Sequence, residues 1–142
     1  MKTDLVRRRA VLALGSLTLP TGHAQTRTPS GRVVIQVSDA DPQKWSLALN
    51  NARNVLDALG DDDALIEVVV YGPGLGMLRA DSPASQRVAE VQRRGVKVVA
   101  CENTMKVLGI GYSAMLPNIG YVPVGVIELM RRQQEGYAYI RP

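Results

Sequence analysis

The stretch Val98-Val99-Ala100-Cys101-Glu102-Asn103-Thr104-Met105 changes character at one residue. Before Cys101 the chain is apolar at every position; after it come polar residues that suit the first turn of a helix. Unbroken apolar character, in place of alternation, is what a strand needs when both faces of its sheet are covered, and such strands belong to parallel sheets. Cys101 therefore sits at a strand-to-helix seam. A thiol there lies near free backbone N–H groups and the positive end of a helix dipole, both of which favour thiolate over thiol.

The same alternation recurs on either side of the seam. Arg32 to Val37 reads as a first strand; Ser38 to Pro42 supplies a turn and cap, with Pro42 at a first helical position. Trp45, Ala48, Leu49, Ala52, Val55, Leu56 and Leu59 then recur at helical spacing up to Gly60. Asp61-Asp62-Asp63 is a solvated connection, because three consecutive acids do not face one ion. Leu65 to Tyr71 is a second strand, followed by the glycine-rich loop Gly72 to Leu78; Asp81 or Ser82 caps a second helix carrying Ala84, Val88 and Val91 and stopping at Gly95. Val96 to Ala100 is the third strand and Glu102 to Leu108 a helix. An irregular stretch through Gly109, Gly111 and Pro117 leads to a short strand at Tyr121 to Pro123. A helix with Val126, Ile127 and Met130 runs to Gln134, and Tyr137 to Arg141 is a last strand.

Strict alternation with short links predicts an α/β fold: a three-layer sandwich around a mostly parallel five-stranded sheet, flavodoxin-like in architecture. In such sheets ligands bind beyond the carboxyl ends of the strands. That rim would bring together Ser38 to Asp41, Gly72 to Leu78 and Cys101 to Thr104.

The N-terminus reads as a cleavable export signal over residues 1–24. Lys2, Arg7, Arg8 and Arg9 precede the apolar run Ala10 to Leu19, which is too short to span a bilayer, so no stable membrane insertion is expected. Thr21-Gly22-His23-Ala24 puts small residues at the −3 and −1 positions of a cut near Ala24. Arg8-Arg9-Ala10-Val11-Leu12 resembles a twin-arginine signal, with Arg7 where that pattern prefers Ser or Thr, so the general secretory route stays open. Residues 25–31 form a short tether, and 32–142 a single domain with one core. The expected location is the periplasm or another exported compartment.

Cleavage alters the charge balance. The full chain carries +4; the remainder would hold 13 basic and 12 acidic residues, so its basicity belongs largely to the signal. No basic patch points to nucleic acid. Arg93-Arg94 and Arg131-Arg132 fall at helix ends, where cations favour the dipole. The only histidine, His23, would leave with the signal. Histidine-based triads and metal centres are thereby excluded, zinc included, and no metal or organic cofactor is expected. Chemistry must run through sulfur, carboxylates, amines or the backbone.

A lone cysteine in an exported chain is either a reactive thiol, an intermolecular partner, or a small buried hydrophobe. The loop Gly72-Pro73-Gly74-Leu75-Gly76 fails the dinucleotide fingerprint and the P-loop pattern alike. Its glycines serve turn geometry alone, or they form a nest in which Gly74 and Gly76 offer N–H donors to an anion or a sulfur species. Asn103 and Thr104 either orient the sulfur or cap the helix.

Taken together, Val33 to Asn54, Tyr71-Gly-Pro-Gly-Leu-Gly-Met-Leu78, Cys101-Glu-Asn-Thr-Met105 and Gly125 to Ile140 resemble the DsrE/DsrF-like family, linked to intracellular sulfur oxidation. The resemblance implies a compact α/β fold, assembly as homo-oligomers (trimers or hexamers), and, in sulfur-relay members, a cysteine after the third strand that carries sulfur as a persulfide; Cys101 matches that position. The context Cys-Glu-Asn-Thr and the export signal depart from the relay subunits. The resulting expectation is a periplasmic sulfur carrier or sulfurtransferase-like protein, with Cys101 accepting sulfur and a protein thiol as donor or acceptor. The competing expectations are a non-catalytic oligomeric or small-ligand-binding module, and a thiol redox sensor.

Overall fold

β-branched runs and capped amphipathic segments become the elements of a computed structural model that describes residues 30–142. The export signal and most of the tether lie outside the described residues. The strands are β1 (Gly31–Val37), β2 (Ala64–Val70), β3 (Lys97–Cys101), β4 (Gly120–Val122) and β5 (Ala138–Ile140); the α-helices are α1 (Pro42–Leu59), α2 (Ser85–Arg93), α3 (Glu102–Leu108) and α4 (Gly125–Gln134). Asp41 caps α1 by accepting from the Gln43 N–H at 2.8 Å, with Pro42 in the first turn as the sequence suggests.

The sheet has the order β4-β3-β2-β1-β5, and every pairing between these strands is parallel. This order is not flavodoxin's 2-1-3-4-5, and the difference decides where the site lies. The chain steps β1, β2, β3, β4 in one direction, so right-handed crossovers place α1, α2 and α3 on one face. It then reverses to reach β5, which puts α4 on the other. The first face holds the larger core, including Ile35, Leu49, Leu56, Val68, Val88, Val98 and Met105. The second buries Val34, Val69, Val99 and Val122 under Leu129 of α4. Helices after β3 and β4 thus leave from opposite faces, so the carboxyl ends of these neighbouring strands form a topological switch point, the place where such sheets bind ligands.

Two local expectations change. The stretch Gly72–Leu78 is a 3-10 helix, not an open loop. Helix α2 starts at Ser85 with Ala84 as its cap residue, because Ser82 is buried and its hydroxyl instead accepts the Ala84 N–H at 3.1 Å in the preceding turn.

Candidate functional site

Cys101 ends β3 and caps α3, which places its sulfur at that switch point. The register pairs Cys101 with Val122, so the chain leaving β4 runs directly beside it. The Gly125 N–H, first residue of α4, points at Sγ from 3.3 Å, and the Thr104 N–H from 3.5 Å. As a thiol, Cys101 faces the Pro123 carbonyl at 4.0 Å. That carbonyl also accepts the Asn103 N–H at 3.1 Å, which ties α3 to the β4–α4 turn. The sulfur thus sits between the amino ends of two helices arriving from opposite faces.

Burial is the largest single influence on the Cys101 thiol and opposes its ionisation. The Thr104 hydroxyl and the N–H groups of Gly125, Thr104 and Asn103 together outweigh it and hold the thiol below its ordinary value. The side chain is nonetheless only 3% exposed. Pro123 and Val124 are exposed, so the sulfur lies beneath the turn that they form. Among the described residues Cys101 is the only cysteine, and it is free.

The remaining expected residues divide. Thr104 joins the sulfur to the glycine segment: its Oγ1 accepts the Gly72 N–H at 2.9 Å. Asn103 contributes its backbone, and its side chain is exposed. Gly74 and Gly76 serve close approach. A Cβ on Gly74 would stand 2.6 Å from the Val37 carbonyl oxygen, and one on Gly76 would stand 3.1 Å from the Trp45 ring. The Gly74 N–H is taken by the Tyr71 carbonyl at 3.2 Å, so it is not free to serve an anion. The donor next to the sulfur is Gly125, which nothing in the local pattern singles out. A Cβ there would meet Tyr71 Cδ1 at 3.0 Å, so glycine allows the ring to pack on the start of α4.

Tyr71 begins a polar rim. Gln36 donates to Ser38 Oγ at 2.9 Å, and the Tyr139 hydroxyl donates to Gln36 Oε1. Burial, with smaller contributions from Tyr139 and Cys101, raises the Tyr71 phenol against the pull of Ser38 and Arg141. On the other side of the Val122–Val124 turn lies a cavity of about 380 Å³, lined by Lys97, Tyr121, Ile127, Glu128 and Arg131 as well as the turn itself.

Under that cavity lies a charge cluster that the sequence does not announce. Glu67, in the middle of β2, and Glu128 of α4 are 2% and 5% exposed. Arg132 reaches Glu67 at 2.6 Å and Glu128 at 3.1 Å; Arg131 reaches Glu128 at 2.6 Å and Lys97 reaches Glu67 at 3.4 Å. Burial first, then the neighbouring Glu128, raises the Glu67 carboxyl; Glu128 falls below its ordinary value because Glu67 and Arg131 outweigh its own burial. The arginine pair at the end of α4 therefore does more than face a dipole. Likewise Arg94, at the end of α2, bonds Asp57 at 2.6 Å and Asp61 at 2.7 Å. Among the described residues no group of His, Cys, Asp and Glu is arranged to hold a metal, and no helix is long and apolar enough to cross a membrane.

The DsrE/DsrF-like family model matches residues 32–142. The chain is similar to the structure of a protein of unknown function, MTH1491 from Methanobacterium thermoautotrophicum, at 38% identity and a TM-score of 0.75, covering 79% of this chain and 99% of that one. It is also similar in fold to the ychN protein from E. coli, at 16% identity and a TM-score of 0.62, with the same coverage of both chains. No curated protein matches.

Proposed function

The chain belongs to the DsrE/DsrF-like family, and from that premise we propose that it is a periplasmic sulfur carrier whose Cys101 accepts a sulfane sulfur and passes it to a protein thiol. One observation carries this reading: the sole cysteine of the described domain is held at the switch point by N–H groups from two helices, and its thiol is lowered despite burial. The step is an exchange. The Cys101 thiolate attacks the outer sulfur of a persulfide R–S–SH, a new S–S bond forms, the donor's S–S bond breaks, and the electron pair leaves on R–S⁻. Cys101–S–SH is the product. Charge and oxidation level balance without an external oxidant, and a second thiolate reverses the process.

The Gly125 and Thr104 N–H groups stabilise the thiolate, and the Thr104 hydroxyl orients it. No metal or organic cofactor takes part. The periplasmic setting rests on the export signal in residues 1–24. Assembly as a homo-oligomer, trimer or hexamer, is part of the reading: Val126, Ile127 and Met130 of α4 are 53%, 53% and 51% exposed, an apolar face that a second copy would cover.

Intact-mass measurement after incubation with a polysulfide tests the chemistry. The expected result is one added sulfur atom, about 32 Da, absent in Cys101→Ser. The burial of the sulfur favours a second reading, a binding or assembly module without turnover. No adduct, or an adduct that survives Cys101→Ser, decides for that module.

A further inference from the structure

The apolar residues of α4 do not determine which way the helix faces. Val126, Ile127, Leu129 and Met130 are all large and apolar, yet only Leu129 is buried. The stripe through Val126 and Met130 is as hydrophobic as the stripe through Gly125 and Leu129 that meets the sheet. A rotation of about 100°, one residue position, would bury a comparable set. Burial alone therefore leaves the orientation open. What separates the two faces is charge: Glu128 and Arg132, four residues apart, share the sheet-facing side, and Arg132 finds Glu67 at 2.6 Å in the middle of β2.

Glu67 is a costly residue in that place. It interrupts an otherwise apolar strand, it is 2% exposed, and its Oε1 has no hydrogen-bond partner. Buried ion networks seldom add stability over well-packed apolar groups, and their best-attested service is to fix register. The groups facing Glu67 are Lys97 from β3 and Glu128 and Arg132 from α4. Arg132 also pairs with Glu135 at 2.8 Å and stacks on Tyr137 at 5.3 Å, and Arg32 of β1 donates to the Glu135 carbonyl at 3.0 Å. Arg132 to Glu67 and Arg32 to the Glu135 carbonyl tie α4 to the sheet. Glu128 lies one turn from Gly125, whose N–H meets Sγ at 3.3 Å, so the lever between cluster and sulfur is short.

We infer that Glu67, acting through Arg132, is a positioning residue for the sulfur site: the buried ion cluster sets the rotation of α4 and thereby aims the Gly125 N–H at Cys101. This rests on the reading of Cys101 as the reactive thiolate. Glu67 does not touch the sulfur and is not a catalytic residue.

The test is a titration of the folded full-length chain labelled with ¹³C at the cysteine Cβ, which gives a single resonance. It needs no sulfur donor, so its outcome is independent of whether the persulfide forms. In Glu67→Leu the helix keeps its own pairs, Arg131 and Arg132 with Glu128 and Arg132 with Glu135, while its ion pair to β2 is lost together with the Lys97–Glu67 pair. The thiolate fraction at neutral pH is expected to fall about threefold. Arg132→Lys keeps the charge but loses the planar fork, and it is expected to act in the same direction, which preserves the test should Glu67→Leu not fold. Glu67→Gln keeps an acceptor for Arg132 and is expected to titrate like the parent. Arg131→Gln, which touches Glu128 but not Glu67, is the control with no expected change. A Cys101 curve unmoved in Glu67→Leu or in Arg132→Lys overturns the inference, as does an equal shift in Arg131→Gln.

Discussion

Replacing Gly125 with alanine isolates the contact on which the sulfur setting depends. The added Cβ would stand 3.0 Å from Tyr71 Cδ1, 3.1 Å from its Cβ and 3.2 Å from its Cγ. Turning the ring relieves only part of this, since the Tyr71 Cβ is fixed to the end of β2. The start of α4 must therefore move by a few tenths of an ångström. Overpacking of this kind costs about 1–3 kcal/mol, against a helix-propensity gain of up to about 1 kcal/mol for Gly→Ala. Gly125 is not among the glycines with positive φ, so backbone strain does not enter. The same movement lengthens the 3.3 Å N–H···S contact. A hydrogen bond to a charged group contributes about 1.5–3 kcal/mol, so losing half of it lowers the thiolate-to-thiol ratio roughly four- to thirteenfold. Urea denaturation is expected to show a net stability change between about 0 and −3 kcal/mol, and the cysteine titration a shift toward the ordinary thiol range. A variant that gains stability and titrates like the parent would refute the claim that this glycine sits between the tyrosine and the sulfur.

Thr104→Val removes the acceptor of the Gly72 N–H and the hydroxyl beside the sulfur; it is expected to destabilise by about 1–3 kcal/mol in urea, while Thr104→Ser restores most of the loss. Gly74→Ala drives a Cβ to 2.6 Å from the Val37 carbonyl oxygen, so a loss of about 3 kcal/mol in unfolding free energy by urea denaturation is expected, and a smaller one would show that the 3-10 segment yields. The Cys101 thiol is lowered in the folded chain, so its contribution to stability is fully present above the unfolded thiol's pKa and is lost as the pH falls through the folded value; the stability gap between the parent and Cys101→Ser should widen as the pH rises toward 9.0, and a flat gap would contradict the assignment. Ile127→Glu and Met130→Glu place charge on the outward face of α4 and are expected to convert an oligomer to monomers by light scattering, with an unchanged mass counting against that face as the contact.

Much of this architecture is legible because it is written in local patterns. The apolar runs of β1, β2 and β3 differ from their expected bounds by a single residue, and the cap at Asp41 with Pro42 behind it appears where its spacing requires. Cys101 at a strand-to-helix seam is likewise a local reading, since the thiol caps the helix that its neighbours begin. What the sequence hides are contacts between distant positions. Gly125 meets Tyr71 and Cys101, and Glu67 meets Arg132 across the sheet, over separations that no periodicity records. The glycine loop leaves two readings open for the same reason: turn geometry and an anion nest look alike in the sequence, and only the structure shows Val37 and Trp45 pressing on Gly74 and Gly76. Helix α4 conceals its inward side because large apolar residues lie on its exposed side as well as its buried one, and the partner of Arg132 says which side faces the sheet.

The strand order also governs when this domain can close. β1 is the first strand made, yet its outer neighbour is β5, with Val33 paired to Ala138 and Ile35 to Ile140, about 100 residues later. Without β5, one side of β1 has no strand to pair with, and the β1–β5 pairing closes a loop of about 100 residues, the slow kind of contact to form. Fragments that stop short of Ala138 keep the outer side of β1 open, so the sheet is complete only when β5 is present.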